Sequence, residues 1–384
     1  MFRHWIDCEG SPVHLEGGRI ATSSSDAAVG TPKRGLRRAV PTGPRIAGID
    51  VARGLAIIGM FAAHAIPRPD DSELLVDGRP SILFATLAGV SLGIMTGSER
   101  PVERGRRGDR VVGVLVRALI IFVLGVTLGA LDSEVAVIVD FYAIMFLLMT
   151  PLLFLPRWAL AVLAGLIAVA APALAAVAHE ADRDVPALIE AAQYYLLNGN
   201  YPALVWLPFL LLGLISARSD LRRARTQLWM MAGGAAAAVL GYGAAALLPG
   251  VSAEAHSGST AEIVASGGFA VATIGALLWL TAPERAGFGV VVRGVTGPIG
   301  ASGSMPLTIY TLQILLLAVF VELRDSTDGA IEYPGWPLLI GMTITALLFA
   351  SLWRHFLGKG PLERALAAAA NRSPATVESS STWS

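Results

Sequence analysis

Cysteine is almost missing from this chain. Cys8 is the only one among 384 residues, so no internal disulfide can form and no cysteine-based metal site exists. Charge is scarce too: 15% of the residues are charged against 54% hydrophobic, and mean hydropathy is +0.62. A soluble protein of this length cannot bury so much apolar surface, which leaves an integral membrane protein. Net charge is zero, which alone argues neither way about nucleic acid; none is expected as a partner. Residues 1–30 hold no apolar run of the kind a cleavable signal peptide needs, so the first spanning helix is expected to direct insertion. No His, Cys or paired Glu stands at metal-ligand spacing, and no metal is expected.

What the chain does have is ten apolar segments of spanning length: 46–66, 80–97, 111–131, 135–155, 158–178, 201–217, 227–248, 265–282, 305–322 and 336–353. The predicted fold class is all-α, a polytopic membrane protein of about ten transmembrane helices. One helical domain, 45–356, is expected between a flexible tail, 1–44, rich in Gly, Ser, Pro and Arg, and a basic, partly disordered tail, 357–384. Lys and Arg number 21 in the pieces on one side of the spans and 3 on the other. That bias predicts both termini in the cytoplasm and an even number of crossings. It puts His64, His179 and His256 outside, and Asp50, Arg53 and the arginine-rich loop 98–110 inside. In the outer segment 179–200, Pro186 to Leu197 is amphipathic, with Tyr194 and Tyr195 suited to an interfacial helix.

The first segment carries Asp50, Arg53 and His64 within an apolar run. Ionisable groups at membrane depth persist mostly where a cavity, a partner or a reaction needs them. Positions 50, 53, 57, 61 and 64 share one helix face, which sets Asp50 and His64 about 21 Å apart. His64 suits general-base work on a hydroxyl or amine, or it is an interfacial imidazole bonded to nearby backbone. Asp50 and Arg53 either hold an anion such as a phosphate or pair with each other at the helix start.

Arg79 opens the second span on the outer side, against the charge trend. It can bind an acceptor, or pair with Asp77 or a loop acid. Arg117 and Asp140 fall inside spans and need partners, mutual or otherwise. The arginines of loop 98–110 can attract a phosphorylated cofactor, but topology and anionic lipid explain most of them. Gly297 to Pro306 reads as a glycine-rich turn opening the ninth span, whose free N–H groups can cradle a phosphate. Thr308, Tyr310 and Gln313 follow it and can line the same cavity.

The run Arg45…Asp50-Val-Ala-Arg53-Gly54-Leu-Ala-Ile-Ile-Gly59-Met resembles the opening helix of the heparan-α-glucosaminide N-acetyltransferase family and its bacterial relatives. So do Gly78-Arg79-Pro80-Ser81 to Gly89, Asp140-Phe-Tyr142, Gly199-Asn200-Tyr201-Pro202 to Trp206, and Met305-Pro-Leu-Thr308-Ile-Tyr310-Thr-Leu-Gln313. These patches are spread over residues 45–355. The resemblance implies a transmembrane acyltransferase, with acyl-CoA entering from the cytoplasm and a sugar acceptor on the far side. The acyl group would cross within the protein, served by a histidine near the outer surface. One departure stands out: the family's animal member carries that histidine in the loop after the first span. Residues 65–78 contain none here, and His64 ends the span itself.

The sequence is thus expected to encode a multi-pass enzyme of the bacterial plasma membrane. It would move an acyl group, acetyl first among the candidates, from acyl-CoA to an extracytoplasmic sugar or glycolipid. His64 is the expected catalytic residue, as general base or acyl carrier. Arg79, Ser81, Asp77 and Asn200 are assigned to the acceptor. Asp50, Arg53, Thr308, Tyr310 and Gln313 are assigned to acyl-CoA, with the arginines of loop 98–110 helping to hold the CoA end. Membrane lipids are the expected surroundings, and a homodimer is allowed. The alternative is a transporter or flippase of an envelope lipid or sugar.

Overall fold

In lipid a spanning segment must satisfy its own backbone hydrogen bonds, and for an open chain the helix alone does so. The computed structural model describes residues 45–66, 73–180, 185–283, 287–326 and 335–370. The tail 1–44 with Cys8, the acids Asp70 and Asp71, and residues 371–384 lie outside the described residues. Among the described residues there is no strand. The helices are α1 (Ala47–Ala65), α2 (Arg79–Met95), α3 (Arg107–Gly129), α4 (Val139–Met149), α5 (Arg157–Glu180), α6 (Ala187–Gln193) and α7 (Ala203–Ala217). They continue with α8 (Ala224–Leu247), α9 (Thr260–Leu280), α10 (Phe288–Val295), α11 (Gly297–Gly303), α12 (Pro306–Ser326), α13 (Trp336–Phe356) and α14 (Pro361–Ala370).

Each of the ten predicted segments coincides with a helix. Seven helices are individually long and apolar enough to cross a membrane, and α6 with its π-helical extension plus α7, bent by 47°, makes an eighth. The shorter α2 and the stretch Val139–Leu152 are apolar as well. The protein is a multi-pass helical membrane protein.

Three stretches depart from expectation, one of them the loop after α9, where Phe288–Val295 forms α10. Gly297 to Pro306 is not a turn: most of it forms α11, with a proline in the first turn, where its missing N–H costs nothing. The segment after α13, expected only as a tail, folds into α14 and packs against α3 and α12.

α1, α2, α7 and α9 form the centre. Lipid removes the hydrophobic driving force between helices, so close packing through small residues holds them together. α2 crosses α7 at Gly89 and Gly213, where added methyl groups would strike the carbonyl oxygens of Leu210 and Thr86. α1 crosses α11 at Gly54 and Gly303, with the carbonyls of Ile299 and Asp50 in the same role. α8 and α13 lie outermost. The exposed stripe Leu115, Leu119, Val123 and Val126 on α3 shows the helical period of a lipid-facing surface.

Candidate functional site

The residues at the C-terminal end of α1 meet those before and within α2, the start of α7 and the loop before α9. Together they enclose a cavity of about 540 Å³. His64 lines it, half-buried, with Asp77, Ser81, Tyr201, Glu254 and His256. Gln313 of α12, 3% exposed, reaches His64 from behind: its amide nitrogen lies 2.6 Å from Nδ1. Two arrangements satisfy that contact. Either the amide nitrogen donates to Nδ1, or the amide is turned and its oxygen accepts from Nδ1–H. Only the second leaves a lone pair on Nε2.

The carboxylates of Glu73, Asp77 and Glu254 make the cavity acidic. Asp77 also accepts from the Leu74 N–H at 2.8 Å, which closes the turn ahead of α2. Arg79 turns away and forms the loop-acid pairing that its position allowed. It bridges Glu73 at 2.9 Å and donates to the Tyr242 hydroxyl at 2.8 Å and the Leu74 carbonyl at 3.2 Å. Ser81 borders the cavity, while its carbonyl accepts from the Tyr142 hydroxyl at 3.4 Å.

Asn200 belongs to a neighbouring cavity of about 620 Å³, which also includes His179, Asn198, Trp206 and Ser257. His256 borders both cavities. Its ring lies 6.1 Å from that of Trp206 in a stacked orientation, and Tyr201 meets it edge-on at 5.7 Å. Its backbone takes φ +62, a left-handed conformation that side chains seldom adopt. Glu262 holds it there, accepting from the N–H groups of His256 and Gly258, each at 2.7 Å, and from the Ser257 hydroxyl. Ser259 in turn caps α9 by accepting from the Glu262 N–H at 2.9 Å. The Ser259-Thr-Ala-Glu262 pattern before an apolar run is a capping signature legible in sequence; the use of its glutamate to aim His256 is not.

At the other end of α1, Asp50 and Arg53 pair at 3.1 Å, and Arg53 donates to Ser91 at 2.8 Å. Between the two ends Ile57 and Phe61 are packed into the core, 0% and 2% exposed. The helix face shared by all five positions is therefore polar only at its ends.

The donor-side group proposed from sequence does not gather in one place. Thr308 gives its hydroxyl to Glu363 of α14 at 2.6 Å, and Glu363 also accepts the N–H groups of Leu307 and Thr308. The backbone cradle expected for a phosphate at the start of α12 is thus filled by the protein's own carboxylate. The Tyr310 hydroxyl accepts from the Ile138 N–H at 3.3 Å, and Gln313 stands with His64. Arg117 and Asp140 are not partners: Arg117 contacts the Met95 sulfur at 3.0 Å, and Asp140 lies buried at the start of α4. Among the described residues no cluster of His, Cys, Asp and Glu is placed to hold a metal ion.

Fold and site together define a multi-pass helical membrane protein with a histidine-bearing, carboxylate-lined cavity at one end of its bundle. Comparison narrows the class. The family model "heparan-alpha-glucosaminide N-acetyltransferase, catalytic" matches residues 45–248, more than half of the chain, and the protein belongs to that family. It is therefore an acetyltransferase-type membrane enzyme. No individually curated protein matches it. The match includes Asp50, His64, Glu73 and Asp77, but stops short of Glu254, His256, Glu262 and Gln313.

Proposed function

We propose that the protein transfers an acetyl group from acetyl-CoA to the amino group of a sugar held in the His64 cavity. The observation that carries this reading is the placement of His64, which opens into an acidic cavity while Gln313 holds the other side of its ring. An anionic cavity attracts an amino sugar, which arrives largely as its ammonium form. Once the ammonium has lost its proton to solvent, the free amine attacks the thioester carbonyl. His64 Nε2 takes the N–H proton as the C–N bond forms, and the C–S bond breaks. The departing thiolate collects that proton, leaving the N-acetyl sugar and CoA thiol. This needs the Gln313 amide oxygen on Nδ1–H, so that Nε2 is the base.

By the charge bias of the loops, the His64 cavity faces outward and acetyl-CoA approaches from the Asp50 end. Ile57 and Phe61 close the direct route along α1, so delivery of the thioester requires these core contacts to part. Arg53, fixed by Asp50 and Ser91, is the cation placed to meet the donor's phosphates when they do.

Vesicles containing purified protein, loaded inside with radiolabelled acetyl-CoA and given methyl glucosaminide outside, test the reading. Label should appear in the external sugar, with thiol released inside. His64→Ala should lower that rate by about 10²–10⁴-fold, the usual contribution of a general base. Undiminished turnover in a folded His64→Ala protein removes His64 from the mechanism. Movement of unmodified sugar without thiol release would make the protein a carrier instead.

A further inference from the structure

The cavity that contains Asn200 has a lower neighbour on the same helices. α5 gives His179 and Pro172 to the polar cavity and, further down the same face, Gly165 and Ala161 to a second cavity of about 420 Å³. α7 contributes Trp206 above and Leu212 below; at α9, Ser259 lies above and Gly267 below. α8 lines the lower cavity with Gly233 and Ala237, and the cavity stays open at the surface, where Ala161, Gly165 and Gly233 are exposed. Every residue lining that lower cavity is apolar.

The change from polar to apolar falls at a definite level. Pro172 has no N–H for the carbonyl of Ala168, four residues back. The Thr260 hydroxyl takes that carbonyl at 2.9 Å and fastens α5 to α9 there. From Pro172 to Ala161 the apolar stretch runs about 16 Å at the helical rise. Small residues make its walls: a Cβ built on Gly165 or Gly233 would meet nothing within 4 Å.

Hydrogen-bonding groups beside the histidine, with an apolar slot directly beneath them at membrane depth, match one kind of molecule. We propose that the acceptor is a lipid-linked saccharide. Its sugar residues occupy the His64 and Asn200 cavities on either side of His256, and its alkyl chain lies in the apolar cavity between α5, α7, α8 and α9. The proposal rests on the transfer reading above, but its binding arm can be measured without turnover.

The probe is dodecyl glucosaminide with a diazirine at the chain end, added to the full-length protein in nanodiscs and photolysed. Adducts should map to α5, α8 and α9. Gly165→Leu and Gly233→Leu add bulk to the slot from positions where an added Cβ meets nothing within 4 Å. Each should lower the adduct yield and raise KM for dodecyl glucosaminide by about tenfold, equivalent to about 1.4 kcal/mol. kcat/KM for methyl glucosaminide should not change. Equal acetylation of both sugars by wild type and variants overturns the lipid-chain site and leaves the transfer reading standing. Adducts in the slot without acetylation of either sugar overturn the transfer reading and leave the site. If a diazirine phosphatidylcholine labels the slot and dodecyl glucosaminide does not displace it, the slot takes bulk lipid only and the proposal fails.

Discussion

At the scale of single residues, the proposed chemistry turns on which nitrogen of His64 faces the cavity. Gln313 decides it, because a hydrogen bond to one ring nitrogen sets the role of the other. Gln313→Glu places a carboxylate on Nδ1–H, stabilises the imidazolium and makes the ring more basic. The acid limb of the kcat/KM profile should then move to higher pH with activity retained above it. Gln313→Leu should lower kcat at every pH without restoring that limb. An unmoved limb in Gln313→Glu would mean that Nδ1 is not the anchored nitrogen. His64 was legible in sequence because an imidazole in an apolar run attracts notice at once. His256 was not: it sits in a Gly- and Ser-containing loop, and nothing in that stretch announces its left-handed backbone or its place between Tyr201 and Trp206.

At the scale of elements, glycine pairs set how closely the helices approach. Gly54 lies under the Ile299 carbonyl, where a methyl group has no room. Gly54→Ala should therefore destabilise the protein by about 1–3 kcal/mol, the usual range for overpacking. Gly165→Ala, with open space at its Cβ, is the control and should be neutral or stabilising by up to about 1 kcal/mol through helix propensity. Apparent melting temperatures in detergent check both; an equal effect would mean that the α1–α11 contact carries no weight. The ten apolar segments were readable because run length alone separates a spanning helix from a loop. α11 and α14 were not, since a seven-residue, glycine-rich helix and a docked terminal helix draw their stability from what they pack against. Glu363 illustrates the point: its role at the start of α12 depends on the chain folding back from 55 positions further along.

At the scale of the whole molecule, orientation in the membrane is the property that the proposed reaction most depends on. With Cys8 replaced by serine, a single cysteine at Glu190→Cys should react with membrane-impermeant maleimide on intact cells. One at Arg104→Cys should react only after lysis; the reverse pattern would invert the proposed sides of donor and acceptor. Both positions are exposed. Composition, run lengths and the asymmetry of Lys and Arg are properties of the chain as a list. They determined by themselves that this is a helical membrane protein, where its long apolar helices fall and which way it is expected to point. Which polar groups meet was decided only by the tertiary structure. It joined Gln313 to His64, turned Arg79 onto Glu73, brought Glu363 to Thr308 and set His256 between two cavities. Each of these contacts joins residues from different helices or loops. Local sequence carries the free energy of forming a helix but no record of which face of one helix will meet which face of another.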